Sequence, residues 1–140
     1  MKEKGTAAIE LSLGILVLVI PVALLVLSFG PTLERRVLAR SLAAETARII
    51  VHADGEVSAR ERDRLVGIVR AAGVDTGSVR VGVCEGLLGA VSEVAGCRLE
   101  GRTEVGVTVE VAVQPHLLPR GPAVVSYTHT EPLDPYRSRR

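Results

Sequence analysis

Aromatic side chains are almost absent from this 140-residue chain, which has no tryptophan, two tyrosines and one phenylalanine. Without them the chain offers neither a stacking platform for single-stranded nucleic acid nor the aromatic belts common at membrane interfaces. An excess of one charge is missing as well, because 17 Lys and Arg stand against 16 Asp and Glu, for a net charge of +1. The sequence has no basic stripe, and we expect no nucleic-acid partner.

The common motifs of catalytic and metal sites are also missing. The chain has no G-x-S-x-G, no G-x-x-x-x-G-K-[ST] and no H-E-x-x-H, which are patterns for nucleophiles, phosphate loops and zinc. His52, His116 and His129 do not have metal-ligand spacing among themselves or with the cysteines. We therefore expect a protein that is not an enzyme and has no metal or cofactor.

Apolar residues are concentrated in one membrane-length run. No charged residue lies between Glu10 and Glu34, and positions 11–29 read LSLGILVLVIPVALLVLSF. A cleaved secretory signal would have a shorter apolar stretch that ends in a small-x-small cleavage site. Here the only such site, at positions 28–30, is followed directly by Pro31. A core helix would not need so long an uncharged run. A membrane helix is the best interpretation, and the remainder of roughly 110 residues corresponds to one small domain.

Glu10 is the residue that a plain signal anchor does not explain. An acidic side chain costs about 2.5 to 3.5 kcal/mol at the centre of an inserted helix, and less near the interface. One interpretation is that Glu10 lies at the membrane edge and reaches water. The other starts from its spacing: if the chain were cut after Gly5, Thr6 would carry the free amine and Glu10 would be the fifth residue. Four residues make about one helical turn, so amine and carboxylate would share a helix face.

The segment KGTAAIE at positions 4–10, followed by the apolar run with Pro21 inside it, resembles the prepilin-peptidase site of type IV pilin-like proteins. More narrowly, it is similar to the TadE-like minor pilins of tight-adherence (Tad) pili. The resemblance implies cleavage after Gly5, Thr6 as the first mature residue, and Glu10 as the carboxylate used in subunit recruitment. It also implies a role in pilus assembly, with a prepilin peptidase, other pilin-like subunits and the assembly platform as partners.

The resemblance further implies a single-pass protein of the cytoplasmic membrane, with the amino terminus inside and the C-terminal domain outside. Such a protein can be incorporated into an extracellular pilus. The charge rule favours the opposite orientation, because Arg35, Arg36 and Arg40 follow the run and two lysines precede it; large domains, however, translocate largely regardless of charge. The alternative function is an uncleaved, membrane-anchored extracytoplasmic binding domain.

Cys84 and Cys97 are the only cysteines. An even count in a small domain is compatible with one disulfide in an oxidising compartment, and closing a loop of about 14 residues contributes roughly 3 kcal/mol. Two buried free thiols are the other interpretation.

The remaining sequence predicts an α+β fold. Pro21 is expected to kink the membrane helix, and Gly30-Pro31 either breaks it or starts a second helix. Apolar residues at helical spacing then predict an amphipathic stalk helix that ends near Asp54-Gly55. Ser58 and Glu61 match a capping box, which predicts a further helix that ends at Gly73.

Alternating valines predict about three antiparallel strands, over 79–84, 105–113 and 123–130, with a possible short helix over 87–94. We therefore divide the chain into a leader (1–5), a transmembrane helix (6–30), a stalk helix (31–54), an extracytoplasmic α+β domain (55–130) and a flexible tail (131–140). So small a sheet needs helices packed against it.

Overall fold

A computed structural model of the chain describes residues 6–113 and 123–134. Two helices, α1 and α2, precede four strands, β1 to β4. Their bounds are Thr6–His52 (α1), Ala59–Ala71 (α2), Val79–Val83 (β1), Gly89–Ala90 (β2), Glu104–Val113 (β3) and Ala123–Pro132 (β4). Short 3₁₀ turns lie at Thr76–Ser78 and Val91–Glu93. The predicted α+β class is confirmed.

Helix α1 is continuous through both prolines. The predicted interruption at Gly30-Pro31 is therefore wrong: the transmembrane and stalk segments form one helix of 47 residues. A proline removes one backbone donor and leaves the other bonds of a long helix in place, so the helix can continue through it. At 1.5 Å per residue the helix is about 70 Å long.

The described strands form one antiparallel sheet in the order β2-β1-β3-β4. Strand β3 is its centre, and its alternate valines from Val105 to Val113 are buried, as the alternating pattern predicts. Helix α1 packs on β3 and β4. Small residues on α1, Ala39, Ala43 and Ala47, are fully buried and allow the helix to lie close to the sheet. The opposite face of the sheet is polar, with the hydroxyls of Thr108 and Thr128 2.9 Å apart across the strands.

Helix α2 begins at the predicted capping box. The backbone N–H of Ser58 donates to Oε2 of Glu61 at 2.8 Å, and the N–H of Glu61 donates to Oγ of Ser58 at 3.3 Å. These bonds satisfy two donors at the helix start. Leu65 and Val69 bury the inner face of α2. On its outer face Nη2 of Arg64 lies 2.8 Å from Oε1 of Glu45, which links α2 to α1.

Three sequence predictions need correction in this part of the chain. The sheet has a fourth strand, β2, which the sequence did not predict; it occupies part of the range 87–94 in which a short helix was expected, and the helical part of that range is the 3₁₀ turn at Val91–Glu93. The Gly-Ala pair of β2 pairs with Arg80 and Val81. The first strand ends at Val83, one residue before the predicted end. The flexible tail predicted from position 131 is wrong at its start, because β4 continues to Pro132. The N–H of Leu133 then donates to the Thr103 carbonyl at 2.9 Å. Residues 135–140 lie outside the described part of the chain.

Candidate membrane-spanning and assembly helix

Helix α1 has two halves with opposite exposure. From Leu13 to Phe29 its large apolar side chains are 46–69% exposed. From Leu38 to Ile50 its apolar side chains are buried under the sheet and α2. Burial begins at Leu38: Leu33 and Val37, which fit the same helical pattern, remain 61% and 69% exposed. Thus the described domain covers only the C-terminal part of the helix.

The exposed half is long and apolar enough to cross a membrane. The uncharged stretch between Glu10 and Glu34 contains 23 residues, or about 35 Å of helix, against a hydrocarbon layer of about 30 Å. A layer centred on this stretch leaves positions 10 and 34 of the helix outside the hydrocarbon by a few ångströms. The helix therefore fits a bilayer with its two flanking acids near the two surfaces.

The predicted processing and recruitment residues lie at the start of this helix. Thr6 is the first described residue of α1, and Glu10 follows one turn later within the same helix, about 6 Å along the axis. Gly5 lies outside the described residues. Positions 6 and 10 are therefore one helical turn apart within α1.

Cys84 and Cys97 are brought together as a disulfide, with their Cα atoms 6.2 Å apart. Cys84 follows β1 directly and is buried, and its N–H donates to the Gly106 carbonyl of β3 at 2.8 Å. Its backbone has a positive φ of 52°, a region that residues other than glycine rarely adopt. The two cysteines are separated by 13 positions in the sequence, and the disulfide ties the loop between them to the end of β1.

The disulfide loop crosses the turn between α1 and α2 at two glycines. A Cβ on Gly96 would collide with the Gly55 carbonyl oxygen and would lie 2.8 Å from Cα of Glu56. A Cβ on Gly55, which has a φ of +91°, would collide with the Cys97 carbonyl oxygen. Only glycines permit this backbone approach. Sequence reasoning assigned Gly55 to a helix end and missed Gly96, since nothing local marks a contact across about 40 positions.

The titratable groups of the described residues include a His–Glu pair on β4 and the capping carboxylate of α2. No group of three or more His, Cys, Asp or Glu in residues 6–113 and 123–134 could hold a metal ion. His129 and Glu131 lie on the inner side of β4, with Nε2 and Oε2 3.0 Å apart. Hydrogen bonds from the backbone and side chain of Ser58 lower the pKa of Glu61, which is a helix-capping effect.

Comparison with known proteins finds no match: no family model, no curated protein and no solved structure is significantly similar to this chain.

Proposed function

We propose that this chain is a minor pilin, or pseudopilin, of a Tad-type pilus system. A prepilin peptidase would process it after Gly5. The observation that supports this most is that Thr6 and Glu10 lie at the start of a continuous helix whose apolar surface is uncovered over Leu13–Phe29. A filament subunit needs both features, a processed helix start and an apolar helix face that neighbours can bury.

The uncovered apolar surface of α1 suits both environments in which such a subunit resides, the membrane and the filament. In the membrane every backbone group of the helix is bonded internally and the apolar side chains contact lipid. In a filament the same side chains pack against the helices of other pilin-like subunits, so they stay out of water throughout. The C-terminal half of α1 keeps the domain attached during this transfer, because its apolar side chains stay packed in the domain core.

Glu10 would set the register between subunits. A carboxylate buried among apolar helices is tolerable only when it is paired. Cleavage after Gly5 would create a free amine at Thr6, four residues before Glu10, which can serve as its partner. The amine of the same subunit or of a neighbour could pair with it. We propose a minor rather than a major subunit because the chain carries a substantial α+β domain beyond the helix.

The first experiment is mass spectrometry of the protein from cells that contain the prepilin peptidase. We expect a mature chain that begins at Thr6. Gly5→Leu should leave the chain uncleaved, whereas Gly14→Leu, a matched change at a position where a Cβ meets nothing within 4 Å, should not. A mature chain that retains residues 1–5 would overturn the proposal and favour the uncleaved anchored binding domain.

The second experiment tests Glu10 against the acid at the other end of the span. Glu10→Ala should insert into the membrane normally and lose incorporation into pili, because the register pair is gone. Glu34→Ala removes an exposed carboxylate from the same helix and should assemble as the unaltered chain does. Pilus preparations blotted for the subunit give the readout. Equal incorporation of both variants would remove the role of Glu10.

A further inference from the structure

We infer that the underside of the domain docks on anionic phospholipid headgroups. The surface comprises one face of α1 and the end of α2, and we call it the membrane-facing surface; its residues are Leu33, Arg36, Val37, Arg40 and Ala72. This inference rests on the membrane insertion of α1, and it is independent of cleavage at Gly5 and of pilus assembly.

The continuity of α1 sets the depth of this surface. The uncharged stretch is centred on Val22, so a hydrocarbon layer of about 30 Å covers about ten residues on either side of it. Arg36 then lies about 6 Å beyond the hydrocarbon and Arg40 about 12 Å beyond it. The headgroup region adds about 5 to 8 Å on each side. Side chains on a helix tilt towards its N-terminus, which here directs both arginines back towards the headgroups.

The exposed side chains on this part of α1 combine apolar and cationic groups. Leu33, Arg36, Val37 and Arg40 lie within about 100° around the helix, since each residue advances by 100°, and all four are exposed. Among the described residues, no carboxylate lies within salt-bridge distance of Arg36 or Arg40. Such a face suits the interface, where apolar groups enter the headgroup boundary and guanidinium groups bind phosphate oxygens.

A second element reaches the same level. Helix α2 runs back along α1, and its end at Ala72 lines a groove with Leu33 and Val37. Residues 71–73 are all exposed. The groove is open, and its lining combines the apolar Leu33, Val37, Leu38 and Ala72 with Glu34 and Arg35. Two separate parts of the chain therefore meet the headgroup layer at one depth, as expected for a domain that rests on the membrane.

Phospholipid is the occupant that these observations favour over another protein chain. The surface is continuous along a rigid helix with the membrane-spanning half, so lipid headgroups adjoin it whenever the helix is inserted. Arg35, Arg36 and Arg40 outnumber the single acid, Glu34, in this segment. Each arginine near an anionic surface changes the ratio of docked to undocked domain by about fivefold.

The absence of tryptophan from the chain makes single-tryptophan variants of the full chain a direct test. The variants Val37→Trp and Ala72→Trp place probes on the membrane-facing surface. Arg48→Trp is the matched control, because Arg48 is exposed on nearly the same side of α1 but about 16 Å further from the membrane. Leu18→Trp reports insertion of the span itself. Each variant is reconstituted in vesicles of phosphatidylcholine alone or with phosphatidylglycerol.

In anionic vesicles, headgroup-labelled quencher lipids should quench the Val37→Trp and Ala72→Trp emissions, and aqueous acrylamide should quench them little. Arg48→Trp should show the reverse. Adding Arg36→Gln and Arg40→Gln to the Val37→Trp chain should lower the docked ratio about twenty-five-fold. High salt, or phosphatidylcholine alone, should also lower it. Circular dichroism and the thermal midpoint check that each variant is folded.

Four results would overturn the inference. Equal access of acrylamide to the Val37→Trp and Arg48→Trp probes would mean that no docking occurs. Protection of the Val37→Trp probe from acrylamide without quenching by lipid would mean that protein covers the surface. If docking does not depend on lipid charge or on salt concentration, the arginines do not contribute to it. If the Leu18→Trp probe, which lies within the hydrocarbon layer, is not quenched by lipids labelled in their acyl chains, membrane insertion fails and the inference with it, whereas an uncleaved Gly5 would overturn only the pilin proposal.

Discussion

The crossing of the disulfide loop over the α1–α2 turn predicts that Gly96→Ala is strongly destabilising. Gly96 has no positive φ, so the penalty is purely steric. The added methyl group would collide with the Gly55 carbonyl oxygen and lie 2.7 Å from its carbon and 2.8 Å from Cα of Glu56. All three atoms belong to backbone, and no flexible side chain can move aside.

The loop must therefore lift away from the turn, and it is held by Cys97 to the end of β1. Forcing an extra carbon into a closely packed site costs about 1 to 3 kcal/mol, and we expect the upper end here, about 3 kcal/mol. For a domain of about 100 residues this lowers the thermal midpoint by about 12 to 24 °C. Gly89→Ala is the matched control, because a Cβ there meets nothing within 4 Å.

The assay is thermal unfolding of the full chain in detergent, followed by circular dichroism and by hydrogen exchange of the β3 amides. We expect Gly89→Ala to change stability by less than about 1 kcal/mol, the range of glycine propensity effects. If Gly96→Ala melts with the same midpoint as Gly89→Ala, the backbone crossing is not rigid, and the argument from its geometry is wrong.

Three further variants test the disulfide and the capping box. The oxidised chain should show no reactive thiol under denaturing conditions, and the double variant Cys84→Ser, Cys97→Ser should lose roughly 3 kcal/mol in denaturant unfolding; two titratable thiols in the oxidised chain would refute the pairing. Ser58→Ala should cost about 1 kcal/mol. Because the pKa of folded Glu61 is lowered, its stabilising effect is present above the unfolded pKa and lost as pH falls through the folded value. Glu61→Gln should therefore flatten the acid limb of the stability profile, and an unchanged limb would contradict the assignment.

Local sequence patterns predict those helices and strands that are held by contacts between residues close together in the chain. The alternating valines of β3 predict a strand with one buried face because its side-chain period is two, and Val105–Val113 are buried in that alternation. The Ser58–Glu61 spacing predicts a helix start because both hydrogen bonds form within one turn. Strand β2 could not be predicted in this way, since two residues have no period and only the neighbouring β1 holds them in place.

The candidate site was predictable in part for the same reason. The uncharged run and the spacing of Thr6 and Glu10 are features of neighbouring residues along one helix. The limit of burial on α1 is different: Leu33, Val37 and Leu38 fit one amphipathic pattern, yet only Leu38 is buried. Where the domain ends along the helix depends on the positions of the strands and of α2, which no local pattern contains.

The amino-acid pattern alone predicts a membrane-length apolar helix with an acid near each end, a capped second helix and alternating strands. Each of these follows from periodicity or from contacts within a few residues. The structure was needed to show that α1 passes unbroken through Pro31, which leaves the other backbone bonds of the helix in place. It also showed that the sheet has the order β2-β1-β3-β4, that Cys84 meets Cys97 and that Gly96 must be glycine. These last three features depend on groups far apart in the chain, and the packing of the whole domain brings them together.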